Sequence, residues 1–238
     1  MKLKYKRVLL KISGELLGGP SGGGFDPDAI DGMADQIVAL ARAGVEVGLV
    51  VGAGNIFRGT RSPVPDMDRV TADHMGILGT VINAICMQNA LERKKLATRV
   101  MTAIEMRAIA EPYARRRALR HLEKGRVVIF AAGTGNPFFT TDTAAALRAS
   151  EMGADVLIKA TKVDGVYDKD PALHDDAVRF RQLSYTEVLR RNLRVMDGAA
   201  VALCRENRVP ILVINIEDTD ALPQAVAGHE VGTLVDAG

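Results

Sequence analysis

Short apolar runs rich in β-branched residues recur along the chain, with longer segments of helical character between most of them. Several of these runs are apolar nearly throughout rather than alternating, which is typical of strands covered on both faces in a parallel sheet. The predicted strands cover residues 8–12, 45–51, 98–102, 127–132, 156–159 and 211–216. This alternation of strand and helix predicts an α/β fold, a three-layer αβα sandwich with a mainly parallel central sheet.

The segments between the predicted strands carry signals for helix starts and ends. Asp26-Pro27 is typical of an N-cap followed by proline at the first helical position, and Gly44 ends that segment. Ser184 and Glu187 have capping-box spacing, which predicts a further helix start. Helices are also predicted over residues 71–95, 111–124 and 143–153, near Met196 and around Pro223.

The longest predicted helix, residues 71–95, has apolar residues at three- and four-residue spacing. Met75, Leu78, Ile82 and Ile85 fall on one side of it, so we expect that stripe to be buried. The sequence alone does not distinguish burial against the core of the chain from burial against another subunit.

Composition narrows the class of protein. The chain has 238 residues, 47% of them hydrophobic and 25% charged, and we expect a globular protein with one domain over residues 1–238 and two lobes around a cleft. No apolar run reaches the length of a membrane span, and the basic N-terminus precedes too short an apolar run for a signal peptide. Residues 18–24 are Gly-rich and predict a flexible loop.

Charge and cysteine usage bear on partners and location. A net charge of +2 gives no general attraction to nucleic acid or to anionic membranes. The basic run at residues 115–117, with Arg120 one turn further on, is interpreted as the solvated face of a helix. Cys86 and Cys204 form no metal-type cluster and lie in apolar helical patterns, which predicts buried thiols in a reducing cytoplasm.

Four loops rich in glycine and polar residues follow four of the predicted strands, at residues 11–15, 52–59, 131–142 and 161–168. In a parallel sheet such loops emerge at one edge, where ligands bind, so we expect them to converge into one site. Glycines let backbone N–H groups approach phosphate oxygens closely, and Lys11 and Arg58 add positive charge. Phosphoryl transfer needs these groups, because its catalysis is mostly positioning and charge neutralisation.

The third of these loops, residues 131–142, joins an apolar strand to an Ala-rich helix. It contains two glycines, an asparagine, three threonines and an aspartate. A junction of this kind directs free N–H groups and the positive end of a helix dipole toward an anion. The alternative is a strand-to-helix turn that uses Gly and Asn for its backbone angles alone.

Other chemistries lack their residues in this sequence. No Ser/His/Asp or Cys/His set is evident, and the four histidines show no metal-ligand spacing. A Walker-type G-x-x-x-x-G-K-[ST] motif is absent, and Gly52-x-Gly54 is followed by Phe57 where a dinucleotide fingerprint has glycine. The sequence therefore predicts neither a Walker-type ATPase nor an NAD site.

Several of the candidate residues also have purely structural interpretations. The structural interpretation of Lys11 is a lysine on an edge strand whose ammonium group reaches solvent. The Asp-Gly pair at residues 164–165 predicts a tight hairpin turn. Asp73 and Asp197 are also explained as acidic residues that interact with the dipole at the start of a helix. On the residues alone, these alternatives stay open.

Taken together and in this order, the motifs resemble those of the bacterial uridylate (UMP) kinases, within the amino acid kinase superfamily. The resemblance covers essentially the whole chain and rests on Lys11-Ile-Ser-Gly-Glu15, residues 52–59, Asp73-His-Met-Gly76, residues 134–142, residues 160–165 and Val195-Met-Asp197. It implies ATP-dependent phosphorylation of UMP to UDP with Mg²⁺ in pyrimidine nucleotide biosynthesis. It also implies a cytoplasmic homohexamer that is activated by GTP and inhibited by UTP.

The resemblance implies an acceptor site mainly in the N-terminal part and an ATP site mainly in the C-terminal part. The implied ATP-binding residues are Lys11, Ile12, Ser13, Gly14, Gly54, Arg58, Thr161, Tyr167 and Asp170. The implied UMP-binding residues are Ala53, Asp73, Thr134, Gly135, Asn136, Pro137, Phe138, Phe139, Thr140 and Thr141. The loop implied in GTP activation comprises Gly19, Pro20, Ser21, Gly22, Gly23 and Gly24.

Four residues are the candidate catalytic groups. Lys11 and Arg58 would neutralise the charge that develops as a UMP phosphate oxygen attacks the γ-phosphate of ATP in line. Asp142 and Asp197 would orient Lys11 or water-bound Mg²⁺ rather than remove a proton, since the UMP phosphate is already largely ionised at neutral pH. No direct protein ligand for Mg²⁺ is implied, because this ion often relies on substrate phosphates and water.

One position departs from the family pattern, and two other functions stay open. Where the family often has three glycines before asparagine, the middle residue here is Ala53, whose methyl group tightens the approach of an acceptor phosphate or requires a negative φ. The first alternative is a relative that phosphorylates a carboxylate or carbamate; residues 134–142 argue against it, because those acceptors carry no ribose or base. The second is a nucleotide-binding storage or regulatory protein on the same fold, similar to the molybdenum storage proteins.

Overall fold

The computed structural model describes residues 3–57, 66–193 and 195–238. The described strands are β1 Arg7–Ile12, β2 Glu46–Val51, β3 Thr98–Thr102, β4 Glu111–Pro112, β5 Val127–Ala131, β6 Val156–Thr161, β7 Val166–Tyr167, β8 Arg179–Phe180, β9 Gln182–Ser184, β10 Ile211–Asn215 and β11 Thr233–Asp236. The described α-helices are α1 Pro27–Arg42, α2 Arg69–Arg93, α3 Arg115–Glu123, α4 Thr141–Met152, α5 Tyr185–Arg190, α6 Gly198–Asn207 and α7 Ala221–Ala227. A 3₁₀ helix covers Gly14–Ser21.

Nine of the described strands form one sheet in the order β4-β3-β5-β2-β1-β6-β10-β11-β9. Neighbouring strands are parallel except for β10 and β11, which are antiparallel. β7 and β8 form a separate antiparallel pair. The six predicted strands correspond to β1, β2, β3, β5, β6 and β10, and all six are confirmed.

Helices cover both faces of the sheet. Successive side chains of a strand point to opposite faces, so each strand contributes to the packing on both sides. In β1, Val8, Leu10 and Ile12 pack into a core cluster that contains residues of α1, α2 and α7. Leu9 packs instead into a second cluster that contains residues of α3, α4, α5 and α6. The predicted three-layer αβα architecture is therefore confirmed.

The predicted helix starts are confirmed where a capping side chain was recognised. Asp26 accepts a hydrogen bond from the backbone of Ala29 and caps α1, which begins at Pro27. Ser184 and Glu187 form both hydrogen bonds of a capping box at the start of α5. The helix predicted over residues 143–153 begins two residues earlier, because Thr140 caps it through the backbone N–H groups of its first turn.

The apolar stripe on α2, which was expected to be buried, is exposed on the surface of this chain. Met75, Leu78, Ile82 and Ile85 are 40–48% exposed. The side of α2 that is buried carries Ala72, Ile77, Gly79, Thr80, Val81, Asn83, Ala84, Met87, Ala90 and Leu91. Because both sides of this helix have apolar residues at helical spacing, the period predicts a helix without telling which side packs against the sheet. The stripe does not pack against the core of the chain, which removes one of the two possibilities left open by the sequence.

By length and composition alone, α2 is also apolar enough to cross a membrane, contrary to the expectation from the sequence. Its most apolar 18-residue window has a mean hydropathy of 1.3 and is 44% buried. The helix nevertheless packs beside β2, β3 and β5 as part of one layer of the fold. Its polar residues Thr80 and Asn83 are buried there with hydrogen-bond partners in the chain. The length and hydropathy of α2 are therefore not sufficient to assign it to a membrane.

The helix predicted over residues 111–124 starts later than expected. Glu111 and Pro112 form β4, which pairs with Met101 and Thr102 of β3. A residue that precedes proline is disfavoured in the helical region, so Glu111 is extended and α3 begins only at Arg115. The arginines at residues 115–117 and 120 are exposed, which confirms their interpretation as a solvated helix face.

The hairpin turn predicted at residues 164–165 is also wrong. β7 follows it but pairs with β8, with Val166 opposite Phe180, rather than with the segment before the turn. The hydroxyl of Thr161 accepts from the backbone N–H of Val163, and Val166 N donates to the hydroxyl of Thr233 at 2.8 Å. Side-chain hydroxyls thus satisfy the groups that a hairpin would have paired.

The Gly-rich segment 18–24, predicted as a flexible loop, has regular structure at its start. The 3₁₀ helix continues to Ser21, with a break at Gly19, where φ is +58°. The Ser21 hydroxyl donates to Gly18 O at 2.8 Å. This segment therefore has regular structure and an internal hydrogen bond, rather than being the flexible loop that its glycine content predicted.

The prediction of two buried thiols is confirmed for one cysteine. Cys204 on α6 is fully buried, and burial raises the pKa of its thiol to about 12. Cys86 on α2 is only half-buried, with a pKa raised by burial in the same direction. Both are free thiols.

Candidate active site

The carboxyl ends of β5, β2, β1 and β6 are adjacent in the sheet, and all four strands are parallel. The four loops that were predicted to converge are those that follow these strands. Their convergence at one edge of the sheet is confirmed, and it follows from chain order alone.

Two lysines and one aspartate meet at this edge. Lys11 and Lys159 are direct neighbours across β1 and β6, so their side chains point to the same face of the sheet. Asp142, in the first turn of α4, lies between them. Its Oδ1 is 2.5 Å from Lys11 Nζ and its Oδ2 is 2.8 Å from Lys159 Nζ. Lys159 Nζ also donates to the carbonyl oxygen of Val195 at 2.5 Å.

This Lys11–Asp142–Lys159 triad is largely shielded from water, with Lys11 8% and Asp142 9% exposed. Burial alone would raise the pKa of Asp142, but the two ammonium groups outweigh it and hold that pKa below its ordinary value. Burial lowers the pKa of Lys159, although the carboxylate of Asp142 opposes it. Two ammonium groups and one carboxylate leave a net charge of +1, which favours an anionic ligand at this edge.

Sequence reasoning missed Lys159, although the signal that identified Lys11 was present for it too. Each lysine interrupts an apolar strand run, Val8-Leu-Leu-Lys-Ile in one case and Val156-Leu-Ile-Lys-Ala in the other. The interpretation of Lys11 as an edge-strand lysine is wrong, because β1 lies in the middle of the sheet between β2 and β6.

The loops after β1 and β2 approach each other backbone to backbone. Ile12 ends β1, and Ser13 leads into the 3₁₀ helix that begins at Gly14. A Cβ at Gly14 would lie 2.4 Å from Gly52 O and 2.8 Å from Gly54 N, closer than real Cβ atoms come to backbone. Only glycine fits at this position, so the predicted ATP-binding segment 11–14 and Gly54 lie side by side.

The loop after β2 tolerates the alanine that departs from the family pattern. Ala53 is not among the residues with positive φ, so its methyl group is compatible with its backbone. Ile56 N and Phe57 N both donate to Ala53 O at 2.9 Å, which closes the loop into a turn. Arg58, a candidate catalytic and ATP-binding residue, lies outside the described residues.

The loop after β5 has an unusual concentration of left-handed backbone. Ala132, Gly133, Gly135 and Phe138 have φ values of +63°, +59°, +82° and +70°. Two of the four carry side chains, which makes this conformation costly, and such strain concentrates at functional sites. Ala132 N donates to the buried hydroxyl of Thr80 on α2 at 2.9 Å. Thr80, which was not among the predicted site residues, therefore holds the start of this loop.

Asp73 ties the same loop to α2. Its Oδ2 accepts from Phe138 N at 2.7 Å, and Arg69 Nε donates to its two oxygens at 2.9 and 2.8 Å. The Arg69 guanidinium lies 5.8 Å from the centroid of the Phe138 ring. Because α2 begins at Arg69 and is capped by Asp68, Asp73 is beyond the first turn, so its interpretation as a helix-start residue is wrong.

A small cavity of about 120 Å³ lies between α2 and the loop after β5. Seven of the ten predicted UMP-binding residues line it, namely Ala53, Asp73, Thr134, Asn136, Phe139, Thr140 and Thr141. Gly135, Pro137 and Phe138 do not line it, although Phe138 bonds to Asp73. The structure thus brings together residues from three separate stretches of the sequence.

Asp197 links the starts of two helices beside the triad. Its Oδ1 accepts from Ala200 N and from the Thr143 hydroxyl, each at 2.9 Å, so it is the N-cap of α6. The hydroxyl of Thr140 donates to its other oxygen. The structural interpretation of Asp197 therefore holds, and its negative charge also contributes to the electrostatic environment of Lys159.

A larger cavity of about 470 Å³ lies beyond β6, and Tyr167 and Asp170 line it. The Tyr167 hydroxyl donates to Asp164 Oδ1 at 2.7 Å, and Asp170 Oδ1 accepts from Ala172 N at 2.9 Å. Thr161, the third predicted adenosine-side residue, ends β6. A volume of several hundred Å³ is typical of small-molecule sites.

The described residues offer no dedicated metal site. None of them form a group of three or more His, Cys, Asp or Glu placed to hold an ion. Both oxygens of Asp142 face lysine ammonium groups, and those of Asp197 accept hydrogen bonds from Thr140, Thr143 and the backbone of Ala200. These carboxylates therefore do not fit as direct ligands of Mg²⁺.

Comparison with known proteins agrees with this architecture. The amino acid kinase family model matches residues 6–215. The structure of a UMP kinase from Bacillus anthracis has a TM-score of 0.95 and 41% sequence identity, over 98% of this chain and 96% of that one. A UMP kinase from Ureaplasma parvum has a TM-score of 0.91 and 36% identity, over 99% and 100% of the two chains. A uridylate kinase from Archaeoglobus fulgidus has a TM-score of 0.74 and 28% identity, over 96% and 99%.

The family match covers most of the chain, and two of these structures exceed 30% identity at nearly full coverage. The fold, the site and the similarity to solved kinases agree with one another. This chain is an enzyme that belongs to the amino acid kinase family.

Proposed function

We propose that this chain transfers the γ-phosphoryl group of ATP to UMP, giving UDP and ADP, as a single-domain cytoplasmic enzyme of pyrimidine nucleotide biosynthesis. The observation that carries the proposal is the Lys11–Asp142–Lys159 triad, whose net charge of +1 is largely buried where four polar loops meet. Phosphoryl transfer needs such fixed positive charge, because it stabilises the charge spread over the transferring oxygens. The similarity to two UMP kinases at 36–41% identity supports UMP as the acceptor.

In the proposed reaction an oxygen of the UMP phosphate attacks the γ-phosphorus in line, and the bond from that phosphorus to the β,γ-bridging oxygen breaks. Lys11 neutralises the charge that develops on the transferring group, and Arg58 is assigned the same role. Asp142 holds the ammonium groups of Lys11 and Lys159 in place, since each of its oxygens faces one of them. No general base is required, because the second pKa of a phosphoester is about 6.

The acceptor side is assigned to the cavity between α2 and the loop after β5. The positive end of the α4 dipole suits a phosphate, and the hydroxyls of Thr134, Thr140 and Thr141 suit polar groups of a nucleotide. At about 120 Å³ the cavity is smaller than a typical small-molecule site. Asp73, which lines it, is engaged by Phe138 N and Arg69. We propose that Asp73 exchanges these internal contacts for contacts with UMP when UMP binds.

The ATP side is assigned to segment 11–14, Gly54 and the larger cavity lined by Tyr167 and Asp170. Mg²⁺ accompanies ATP in this proposal and supplies further charge neutralisation on the phosphates. It is carried by the nucleotide phosphates and water, in keeping with carboxylates that are already engaged within the protein. Asp197 fixes the start of α6 beside the phosphates through its N-cap hydrogen bonds.

The acceptor is tested with the purified chain, ATP, Mg²⁺ and five candidate acceptors in separate ADP-release reactions. We expect ADP release with UMP to exceed that with CMP, glutamate, aspartate and carbamate by at least about tenfold, because a site that hydrogen-bonds one base leaves buried polar groups unpaired with another. Turnover with glutamate, aspartate or carbamate instead would assign the chain to the carboxylate or carbamate kinases. ATP binding without turnover of any acceptor would favour the storage or regulatory protein.

A homohexamer is proposed as well, and the exposed stripe on α2 supports subunit contact. Met75, Leu78, Ile82 and Ile85 form a continuous apolar surface, and such surfaces on soluble proteins mark interaction sites. We expect Ile82→Glu to lower the molar mass measured by light scattering to that of a smaller assembly. Val178→Glu, a control on an apolar residue exposed elsewhere, leaves the mass unchanged; a mass unaffected by Ile82→Glu argues against contact through this stripe.

Activation by GTP and inhibition by UTP are proposed for the same enzyme, with the segment from Gly19 to Gly24 as the GTP-responsive element. Gly24 N donates to Asn55 O at 2.9 Å, and Asn55 Nδ2 donates back to Gly24 O at 2.7 Å. These two hydrogen bonds connect the segment directly to the loop after β2. Repeating the UMP reaction with GTP and with UTP measures both effects.

A further inference from the structure

The loop after β2 rests on α2 through a pair of buried amides. Asn83 of α2 is fully buried, and its Nδ2 donates to Gly52 O at 2.6 Å and to Asn55 Oδ1 at 2.7 Å. Asn55 Nδ2 donates back to Asn83 Oδ1 at 3.1 Å. Because a buried amide is costly to leave unpaired, this reciprocal pair fixes the orientation of the loop relative to the helix.

One turn earlier on α2, apolar atoms of the loop lie against Gly79. A Cβ built on Gly79 would lie 2.9 Å from the Cβ of Ala53. Carbon atoms in favourable contact are about 3.5–4.0 Å apart, so the methyl group of Ala53 occupies the space that a side chain at Gly79 would need. The next neighbours of such a Cβ are the Cβ and Cγ2 of Ile56, at the ordinary contact distances of 3.7 and 3.8 Å.

The two positions are therefore complementary in size. A methyl group is present at Ala53 and absent at Gly79. The backbone of the loop approaches the backbone of α2 this closely because only one of the two residues carries a Cβ. Gly79 is not required by its backbone, because it lies inside α2 and has no positive φ. Glycine inside a helix costs about 1 kcal/mol relative to alanine, so its presence here calls for a packing reason.

Ala53 also lines the acceptor cavity, beside Asp73 and Thr141. A displacement of this loop by a few tenths of an ångström would move its N–H groups relative to the acceptor phosphate. Transfer reactions are sensitive to shifts of this size, because about 1 Å of misplacement costs on the order of a hundredfold in rate.

We propose that Gly79 and Ala53 form a size-complementary pair that sets the position of the loop after β2, which makes Gly79 a positioning residue for transfer to the acceptor phosphate. The pair would explain the departure of Ala53 from glycine, since the helix provides the missing volume. This inference rests on the proposed function and specifies how α2 takes part in it.

The test is a cycle of three variants, Gly79→Ala, Ala53→Gly and the double variant, each assayed for UDP formation. Gly79→Ala is expected to lower kcat/KM for UMP at least about tenfold, with a larger rise in KM for UMP than for ATP. The double variant is expected to recover to within about threefold of wild type, because removal of the Ala53 methyl leaves the new Cβ only its ordinary contacts with Ile56.

Gly32→Ala on α1 is the matched control, since a Cβ there meets nothing within 4 Å, and it should keep wild-type kinetics. Melting temperatures of all variants exclude unfolding as the cause of a loss. Gly79→Ala with kinetics within about twofold of wild type, or a double variant as impaired as Gly79→Ala, would overturn the inference. Wild-type chain without UMP turnover would instead overturn the proposed function, so the two failures are distinguishable.

Discussion

Replacing Lys11 by alanine is expected to lower kcat for UDP formation at least about a hundredfold, since loss of one preorganised electrostatic donor costs about 3 kcal/mol in the transition state. Lys11 is 8% exposed and lies 2.5 Å from Asp142, so its ammonium group is held in place before substrate binds. A group fixed in this way stabilises developing charge without reorganisation. The measurement is kcat and KM for UMP and for ATP under saturation with the other substrate.

The matched control for this variant is Lys124→Ala. Lys124 is an exposed residue at the end of α3, outside the candidate site, and its removal should leave both kinetic constants unchanged. Lys11→Ala that retains most of the wild-type kcat would show that the role assigned to Lys11 is wrong. A rise in KM alone would assign Lys11 to binding of the ground state rather than to the transition state.

Replacing Asp142 by asparagine is expected to lower the free energy of unfolding of the nucleotide-free chain by about 3 kcal/mol or more, because it leaves two largely buried ammonium groups without their counter-charge. For a chain of this size that loss corresponds to a fall in Tm of roughly 10 °C. The measurement is thermal unfolding at neutral pH. Asp175→Asn, at an exposed aspartate, is the control and should leave Tm unchanged.

The same comparison has a defined pH dependence. The folded-state pKa of Asp142 lies below its ordinary value of 3.8, because Lys11 and Lys159 favour the carboxylate over the opposing effect of burial. Its stabilising contribution is therefore fully present above about pH 4 and is lost as the pH falls further through the lower folded-state pKa. The difference in unfolding free energy between wild type and Asp142→Asn should shrink below pH 4. A difference that stays constant into that range would contradict the assignment.

The convergence of the loops at the site was predictable from the sequence, because it depends only on the order of strands and helices along the chain. Strands alternating with helices predict a parallel sheet, and a parallel sheet brings its strand-to-helix loops to one edge. Lys11 was identified because a charge interrupts an apolar run, and the same argument applies to Lys159. Their meeting at Asp142 requires the register between β1 and β6, which no local pattern contains.

The features that were not predicted depend on contacts between distant segments. Helical spacing on α2 gave two apolar sides, and the sheet packs against the side that carries Gly79, Thr80 and Asn83 rather than the predicted stripe. Thr80 holds the loop after β5, and Asn83 holds the loop after β2. Short polar residues inside an apolar helix were thus a usable signal for the face that supports the site, because buried polar groups need partners.

Transfer of a labelled phosphoryl group tests the central claim most directly. The purified chain is incubated with UMP, Mg²⁺ and ATP labelled in its γ-phosphate, and the labelled products are separated. The account predicts that the label appears in UDP with the wild-type chain and that this transfer is nearly abolished by Lys11→Ala. Label that stays in ATP, or that appears only in inorganic phosphate, would contradict it.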